Sequence, residues 1–356
     1  MMKHILIAAA ACMLILAGCR DQLPTDYTPK PQSTPRIYYS LGEAAARIGG
    51  YGIDPAGTNR TRLAGGALFS PPAHGLIAYT GSDQTGMVAS LDGSNPHKVI
   101  DAAQYLQPVL SPDGTQIAYM PYGDSIIVID VDGTHPRTVA HNVAPGSLPA
   151  FSPDGSQLSY IRAGGWPMKL HVVSGIRAGQ TLQDREVADN AANSAVFKGE
   201  LKMAWSPDGN RLAYSGLGTG TDSTDIFVVN ADGTGRVDVT NDPGFDIMPA
   251  WSPDGRSLAF VRVGGDFVGH VSADIWITKD NGLTLENVTN TPGFDAIEIC
   301  PEWSPDGNSI AYGVLEPYAP FQQANNRHSL STVNLATHTV NTLEANGVDG
   351  FVFWMP

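Results

Sequence analysis

Short apolar stretches with period-2 alternation, bounded by turns rich in Gly, Asp, Asn or Pro, fill the chain from residue 36 onward, and no long amphipathic helical pattern interrupts them. Gln116-Ile117-Ala118-Tyr119 and Arg211-Leu212-Ala213-Tyr214 are representative strands. Each follows the same punctuation, a bulky apolar residue and then Ser-Pro. Six copies stand at Phe69-Ser70-Pro71, Leu110-Ser111-Pro112, Phe151-Ser152-Pro153, Trp205-Ser206-Pro207, Trp251-Ser252-Pro253 and Trp303-Ser304-Pro305, and all but the first continue into Asp-Gly. The strand behind each ends in an aromatic residue: Tyr79, Tyr119, Tyr160, Tyr214, Phe260 and Tyr312. Within the motif Pro suits a φ of about −65°, Asp can bond the nearby backbone and Gly takes positive φ, which predicts a tight hairpin turn.

This turn and its strand are half of a larger unit. Further on come a third strand and a second turn, as in Ile127 to Thr134 and Ile226 to Thr234, then a fourth strand such as Arg236 to Thr240. Successive motif serines lie 41, 41, 54, 46 and 52 residues apart. That period fits a four-stranded antiparallel blade with connections of varying length, and so predicts an all-β propeller. Ile37 to Ser40 matches a second strand and Ile53 to Arg60 a second turn, so the amino-terminal copy lacks only a first strand. Phe351 to Pro356 supplies one, with Trp354 at the motif position. Pairing of the two segments gives seven blades and covers every sheet edge; without it the count is six.

The Trp-Ser-Pro-Asp-Gly copies and Asp-Gly-Thr turns resemble the repeats of TolB-like, WD-repeat-like β-propellers, over about residues 36–356. The resemblance implies the fold. It leaves function open, because such propellers serve as envelope scaffolds, peptidase gates, and lyase or sugar-binding domains.

Ahead of the repeats, residues 1–18 carry Lys3 and an apolar run from Ile5 to Ala17. The run is shorter than the ~20 residues that span a bilayer and reads as an export signal. It ends in Leu16-Ala17-Gly18-Cys19, which resembles the lipobox of bacterial lipoproteins. That resemblance implies cleavage before Cys19 and acylation of the cysteine, and Arg20 resembles the outer-membrane sorting class of a two-membrane cell. Residues 19–35, with Pro24, Pro29, Pro31 and Pro35, then form an extended tether, and residues 36–356 the propeller.

The formal net charge is −14, and loss of residues 1–18 removes Lys3 but no acid, which argues against a nucleic-acid partner. Cys12 leaves with the signal and Cys19 is acylated, so Cys300 has no internal disulfide partner and is expected as a small buried residue. The chain has no Gly-x-Ser-x-Gly elbow, P-loop or His-Glu-x-x-His, and its histidines have no metal-ligand spacing. His270 and His328 are kept as candidates because they fall on the variable connections. No cofactor is expected beyond a divalent cation at the mouth of the central channel.

In such a blade the first-to-second and third-to-fourth turns share one face. The opposite face takes the length variation, including 188–202, 241–249, 262–273, 290–300 and 314–328, and loops of that kind carry recognition. Five residues before the bulky motif residue, four consecutive copies have an acid: Glu200, Asp246, Glu298 and Asp349. They read either as an arc at the channel mouth that focuses negative potential on a basic peptide or cation, or as ordinary solvated acids. Phe245 and Phe294, in duplicated Pro-Gly-Phe-Asp segments, read either as interface anchors or as covers for blade edges.

The expected function is that of an exported lipoprotein, held to the bilayer through Cys19, whose propeller binds an envelope protein or basic peptide noncovalently. The alternative is a carbohydrate-binding or polysaccharide-processing enzyme that uses the channel-mouth carboxylates, which could flank a scissile bond about 5–10 Å apart.

Overall fold

A computed structural model describes residues 35–43, 47–68, 70–101, 107–121, 124–165, 167–191, 202–218, 223–265, 271–279, 284–291, 297–315, 328–344 and 348–355. Every regular element among them is a β-strand. The strands group in antiparallel fours. Ala67–Leu68, Leu76–Thr80, Gly86–Ser90 and His97–Ile100 form one sheet in that order, and Val109–Leu110, Gln116–Tyr119, Ser125–Asp130 and Arg137–His141 form another. The same succession recurs over 150–191, 203–238, 245–287 and 297–344, where single bridges from Ala191 to Gly216, Thr224 to Phe245 and Ala273 to Ile297 join one four to the next. In the remaining sheet Val348–Met355 lies against Arg36–Glu43, with Trp354 opposite Ile37, and Arg47–Ile53 and Thr61–Ala64 follow. Antiparallel fours packed sheet against sheet make an all-β propeller.

The motif turns form as their residues dictate. Ser111 Oγ accepts from the Gln116 backbone N–H at 2.9 Å and donates to Asp113 Oδ1 at 2.6 Å, while that oxygen accepts from Thr115 N–H at 3.1 Å. The same three bonds close the turns at Ser206 and Ser304. Gly114 and Gly307, at φ of 67° and 72°, occupy the left-handed region that a side chain would strain. One hydroxyl thus ties the first strand of a unit to its second, and the turn holds whatever the neighbouring sheets do.

Neighbouring sheets are joined by the motif aromatics. The indole Nε1–H groups of Trp205, Trp251 and Trp303 donate to the carbonyls of Ala150, Ala204 and Ala250, at 3.0, 3.1 and 3.1 Å, so each indole reaches back to the first strand of the preceding four. The second strands run on past the aromatic expected to end them, to Arg162, Leu217, Gly265 and Leu315, and Tyr160, Tyr214, Phe260 and Tyr312 are sealed in the core at or below 1% exposure. Ile161, Leu170 and Val172 of one four pack with Trp205, Leu212 and Val229 of the next, which makes the core a series of layers between sheets. Lys202 Nζ reaches past the intervening sheet to within 3.4 Å of the Pro301 carbonyl, so the first strands of non-adjacent fours converge.

Cys300 is buried, as expected of a small apolar residue. It sits at φ 52° where the ladder of its strand shifts register, and Met248, at φ 56°, holds the same place one repeat earlier.

Truncating a motif indole removes both an inter-sheet hydrogen bond and a buried ring. Trp303→Ala is expected to cost about 3–5 kcal/mol in urea unfolding, and Trp303→Phe about 1 kcal/mol. Equal losses for the two would mean that the buried ring adds nothing to the joint beyond its hydrogen bond.

Candidate functional site

Cys19, Glu200, Phe294 and His270 lie outside the described residues. Asp246, Glu298 and Asp349 each stand second in their strands, Phe245–Trp251, Ile297–Trp303 and Val348–Met355, where the chain begins the first strand of a four. Asp349 is in register with Ser40. His328 begins the strand His328–Asn334, in register with Leu315. Phe245 is half-buried, in register with Val263 and bridged to Thr224 of the preceding four.

The side chains of Asp246 and Glu298 turn into the joints between sheets. Asp246 is fully buried, and its Oδ1 and Oδ2 accept from Arg262 Nε and Nη2 at 2.8 and 2.7 Å. The same guanidinium meets Asp242 and lies over the Trp276 ring, 4.5 Å from its centroid. Burial pushes the Asp246 carboxyl up and the Arg262 guanidinium pulls against it. Across the joint, Asp225 is fully buried and is pushed up to about 6, first by burial and then by the charge of Asp238. One carboxylate oxygen from each of Asp225, Asp242 and Asp246 lies within 4.8 Å of the others.

One repeat later the corresponding joint has no such guanidinium among the described residues, because the register partner of Glu298 is Val314 where that of Asp246 is Arg262. Glu298 is 2% exposed, and it accepts from the Ile275 backbone N–H at 3.1 Å and the Thr291 hydroxyl at 2.8 Å. Burial outweighs these bonds and pushes its carboxyl up to about 7. Glu298 therefore holds its strand start against the preceding sheet, while Asp246 ties its own to Arg262 on the next strand of the same sheet.

A second polar group has no counterpart in the sequence reading. Tyr160 OH donates to Asp184 Oδ2 at 2.8 Å, His171 Nδ1 is 2.9 Å from Asp184 Oδ1, and Arg162 donates to Tyr160 OH at 2.6 Å and also meets Asp184. Burial lowers the His171 pKa below the usual imidazole value. The network ties three strands of one four together. Its members are spread over separate strands in no motif spacing, so only their alternation within the strands was available to signal it.

A family model described as the TolB beta propeller domain matches residues 123–268 and 201–320. Among solved structures, TolB from Acinetobacter baumannii is 18% identical with a TM-score of 0.53, over 90% of this chain and 67% of that one. A puromycin-hydrolyzing peptidase from Mycobacterium tuberculosis is 17% identical with a TM-score of 0.59, over 92% of this chain and 57% of the peptidase. Oligogalacturonate lyase from Vibrio parahaemolyticus is 13% identical with a TM-score of 0.58, over 88% and 85% of the two chains. At these identities the likeness is one of fold. Among curated proteins no match to the chain is found.

Glu298 makes stability depend on pH. Its carboxyl ionises near 4.5 in the unfolded chain and at about 7 in the fold, so the proton favours the folded state over that interval. The stabilisation is complete below the lower value and is lost as pH rises to the upper one. Glu298→Gln is expected to be level with or below the parent at pH 4.5 and to gain on it by up to about 3 kcal/mol by pH 8, read by urea unfolding across that range. A gap that does not change with pH would place the proton elsewhere.

Proposed function

The chain belongs to the TolB beta propeller domain family, and we propose that it acts as an exported, membrane-anchored propeller that binds a protein partner in the cell envelope. The observation that carries this reading is the unequal build of the two faces. On the motif face the Ser-Pro-Asp-Gly turns are closed by their own hydroxyl and carboxylate, as at Ser206 and Asp208. The opposite face takes the long connections and begins the first strands, with Phe245 half-buried there. An aromatic on a rigid strand start offers a partner apolar area at little entropic cost.

In this reading Phe245 and Phe294 contact the partner. Asp246 and Glu298 act from beneath, fixing the strand starts, while Glu200 and Asp349 complete the acidic series and favour a partner segment with positive charge. The Leu16-Ala17-Gly18-Cys19 sequence supports acylation of Cys19, and the proline-rich residues 20–35 would give the propeller reach from the membrane, on the outer-membrane periplasmic side in a two-membrane cell.

The ring is read as seven four-stranded blades closed by Val348–Met355. Support for this comes from its pairing with Arg36–Glu43, from Met355 opposite Arg36 to Val348 opposite Leu41, with a register shift between Tyr39 and Ser40. Deleting residues 348–356 would leave Arg36–Glu43 as an open edge, and the truncated protein is expected to unfold at a lower temperature and to self-associate in sedimentation experiments. A monomer of unchanged stability would refute the closure.

The partner reading is tested by in-cell crosslinking of the full chain with a photoreactive residue at position 349, in the parent and in Phe245→Ala. The expected result is one defined crosslinked envelope protein, reduced at least fivefold by Phe245→Ala, and release of the chain to the soluble fraction by Cys19→Ala. A soluble Cys19→Ala product with unchanged crosslinking separates the anchor from the binding face. Equal crosslinking in the parent and Phe245→Ala would remove Phe245 from the binding surface.

A further inference from the structure

Two consecutive joints between sheets are built on one plan. In the joint at Glu298, Asp274 Oδ1 accepts from the Thr291 backbone N–H at 3.1 Å and its Oδ2 from Asn287 Nδ2 at 2.9 Å. The Ile275 N–H donates to Thr289 Oγ1 at 3.0 Å. In the joint at Asp246, Asp225 stands for Asp274, Asp242 for Thr291 and Asp238 for Asn287. The Ile226 N–H donates to Thr240 Oγ1 at 3.0 Å, and the Asp242 N–H lies 3.4 Å from Asp225 Oδ1. The plan even repeats in the turn, where Asp238 Oδ1 accepts from Asn241 N–H as Asn287 Oδ1 accepts from Asn290 N–H.

The differences run one way. Two neutral donors, the Asn287 amide and the Thr291 hydroxyl, are replaced by the acids Asp238 and Asp242. The joint then holds Asp225, Asp238, Asp242 and Asp246 with Arg262, whose guanidinium meets Asp242 and Asp246. Asp225 Oδ2, the counterpart of the oxygen that takes the Asn287 amide, is buried with no hydrogen-bond partner. Beside it Ser223 Oγ, on a residue 5% exposed, is also without one. Both oxygens close on Gly218, where a Cβ would collide with each of them, so glycine at this position keeps the space between them open.

We propose that this joint binds a calcium ion, with Asp225 Oδ2 and Ser223 Oγ as ligands together with a carboxylate oxygen of Asp242 or Asp246. The ligand set is hard oxygen throughout, which suits Ca²⁺ or Mg²⁺ and disfavours softer metals. Between those two, Mg²⁺ demands near-ideal octahedral geometry and keeps several waters, which a buried joint disfavours, whereas Ca²⁺ accepts irregular sets of protein oxygens. One oxygen of each of the three carboxylates lies within 4.8 Å of the others, in reach of a single ion. Arg262 balances part of the acidic charge; the ion balances the part nearer Asp225, and so fastens the third strand of one four to the connection that opens the next. The inference is independent of the partner reading, because it concerns the joint and not the surface.

The test is thermal unfolding of the full chain at pH 7.5 in EDTA and in 1 mM CaCl₂, with terbium luminescence excited through tryptophan, since Trp276 lies against Arg262. Calcium is expected to raise the parent's Tm by several degrees and to quench bound-terbium emission by competition. Asp225→Asn is expected to lose the shift, and Ser223→Ala to weaken calcium binding about tenfold. Glu298→Gln, at the sister joint, keeps both signals. If Asp225→Asn does not fold, Ser223→Ala and the parent decide the matter. Absence of a calcium shift in the parent overturns the proposal, and a higher Tm for Asp225→Asn in EDTA would then assign the joint to a proton shared by Asp225 and Asp238. A calcium shift that survives both Asp225→Asn and Ser223→Ala also overturns it, since the ion would then sit elsewhere.

Discussion

Each sheet of this fold is too small to stand alone, and the apolar layers between sheets make the fours into one body, reinforced at three joints by a hook from a motif indole to a carbonyl of the preceding first strand, a bond that the buried Trp354 Nε1 does not make. Trp303 donates to Ala250, Trp251 to Ala204 and Trp205 to Ala150. The bond sets the spacing of first strands where they converge, and the apolar layers between sheets fill in behind it. A four-stranded sheet in isolation would expose two apolar faces, so its stability comes from its neighbours. The repeat length can therefore vary while the joint stays constant: connections lengthen, but the distance from hook to motif turn does not.

Where the hook is kept, the other end of the first strand is free to differ. Asp246 and Glu298 start their strands in the same register, yet one is met by Arg262 and the other by two neutral donors and the apolar Val314. Both are buried carboxyls, and each solution leaves a different residue. With the guanidinium, Asp246 keeps a charged partner and the local charge is set by the surrounding acids. With neutral donors, Glu298 is left near neutrality, with its carboxyl at about 7. Nearby Cys300 and Met248 take left-handed backbone at equivalent sites, so the register shift belongs to the repeat and not to either side chain.

Much of this architecture is legible in the chain. The Ser-Pro-Asp-Gly turn is specified by local chemistry, and its hydroxyl and carboxylate bonds form within a few residues of sequence. The start of each first strand is legible too, since a fixed offset from the motif picks out Asp246, Glu298 and Asp349. What those acids face is not. Period-2 alternation gives the side of a strand, while the group across a joint comes from a connection or a neighbouring sheet whose registration the sequence does not state. For that reason the offset finds the acids but not the pairing of Asp246 with Arg262, nor the burial of Asp225 opposite. The Tyr160, His171 and Asp184 network is hidden in the same way, because its bonds cross three strands and each residue alone reads as an ordinary member of its strand.

Replication of one joint along the chain also turns a difference between copies into information. A single buried acid cluster has many explanations, including a shared proton or an unremarkable ion pair. Here the copy at Glu298 supplies the reference, since it has the same backbone bonds and the same Asp at the start of the third strand, with every oxygen of Asp274 supplied by a neutral donor. Against that reference the copy at Asp246 has lost donors and gained acids at matched positions. Drift toward a less stable joint would remove donors, but it would not be expected to replace two of them with carboxylates beside a buried oxygen that lacks any partner. Buried like charges cost several kcal/mol unless something positive balances them. The substitution pattern is thus what a joint would acquire if it came to depend on a charge that the chain itself does not carry.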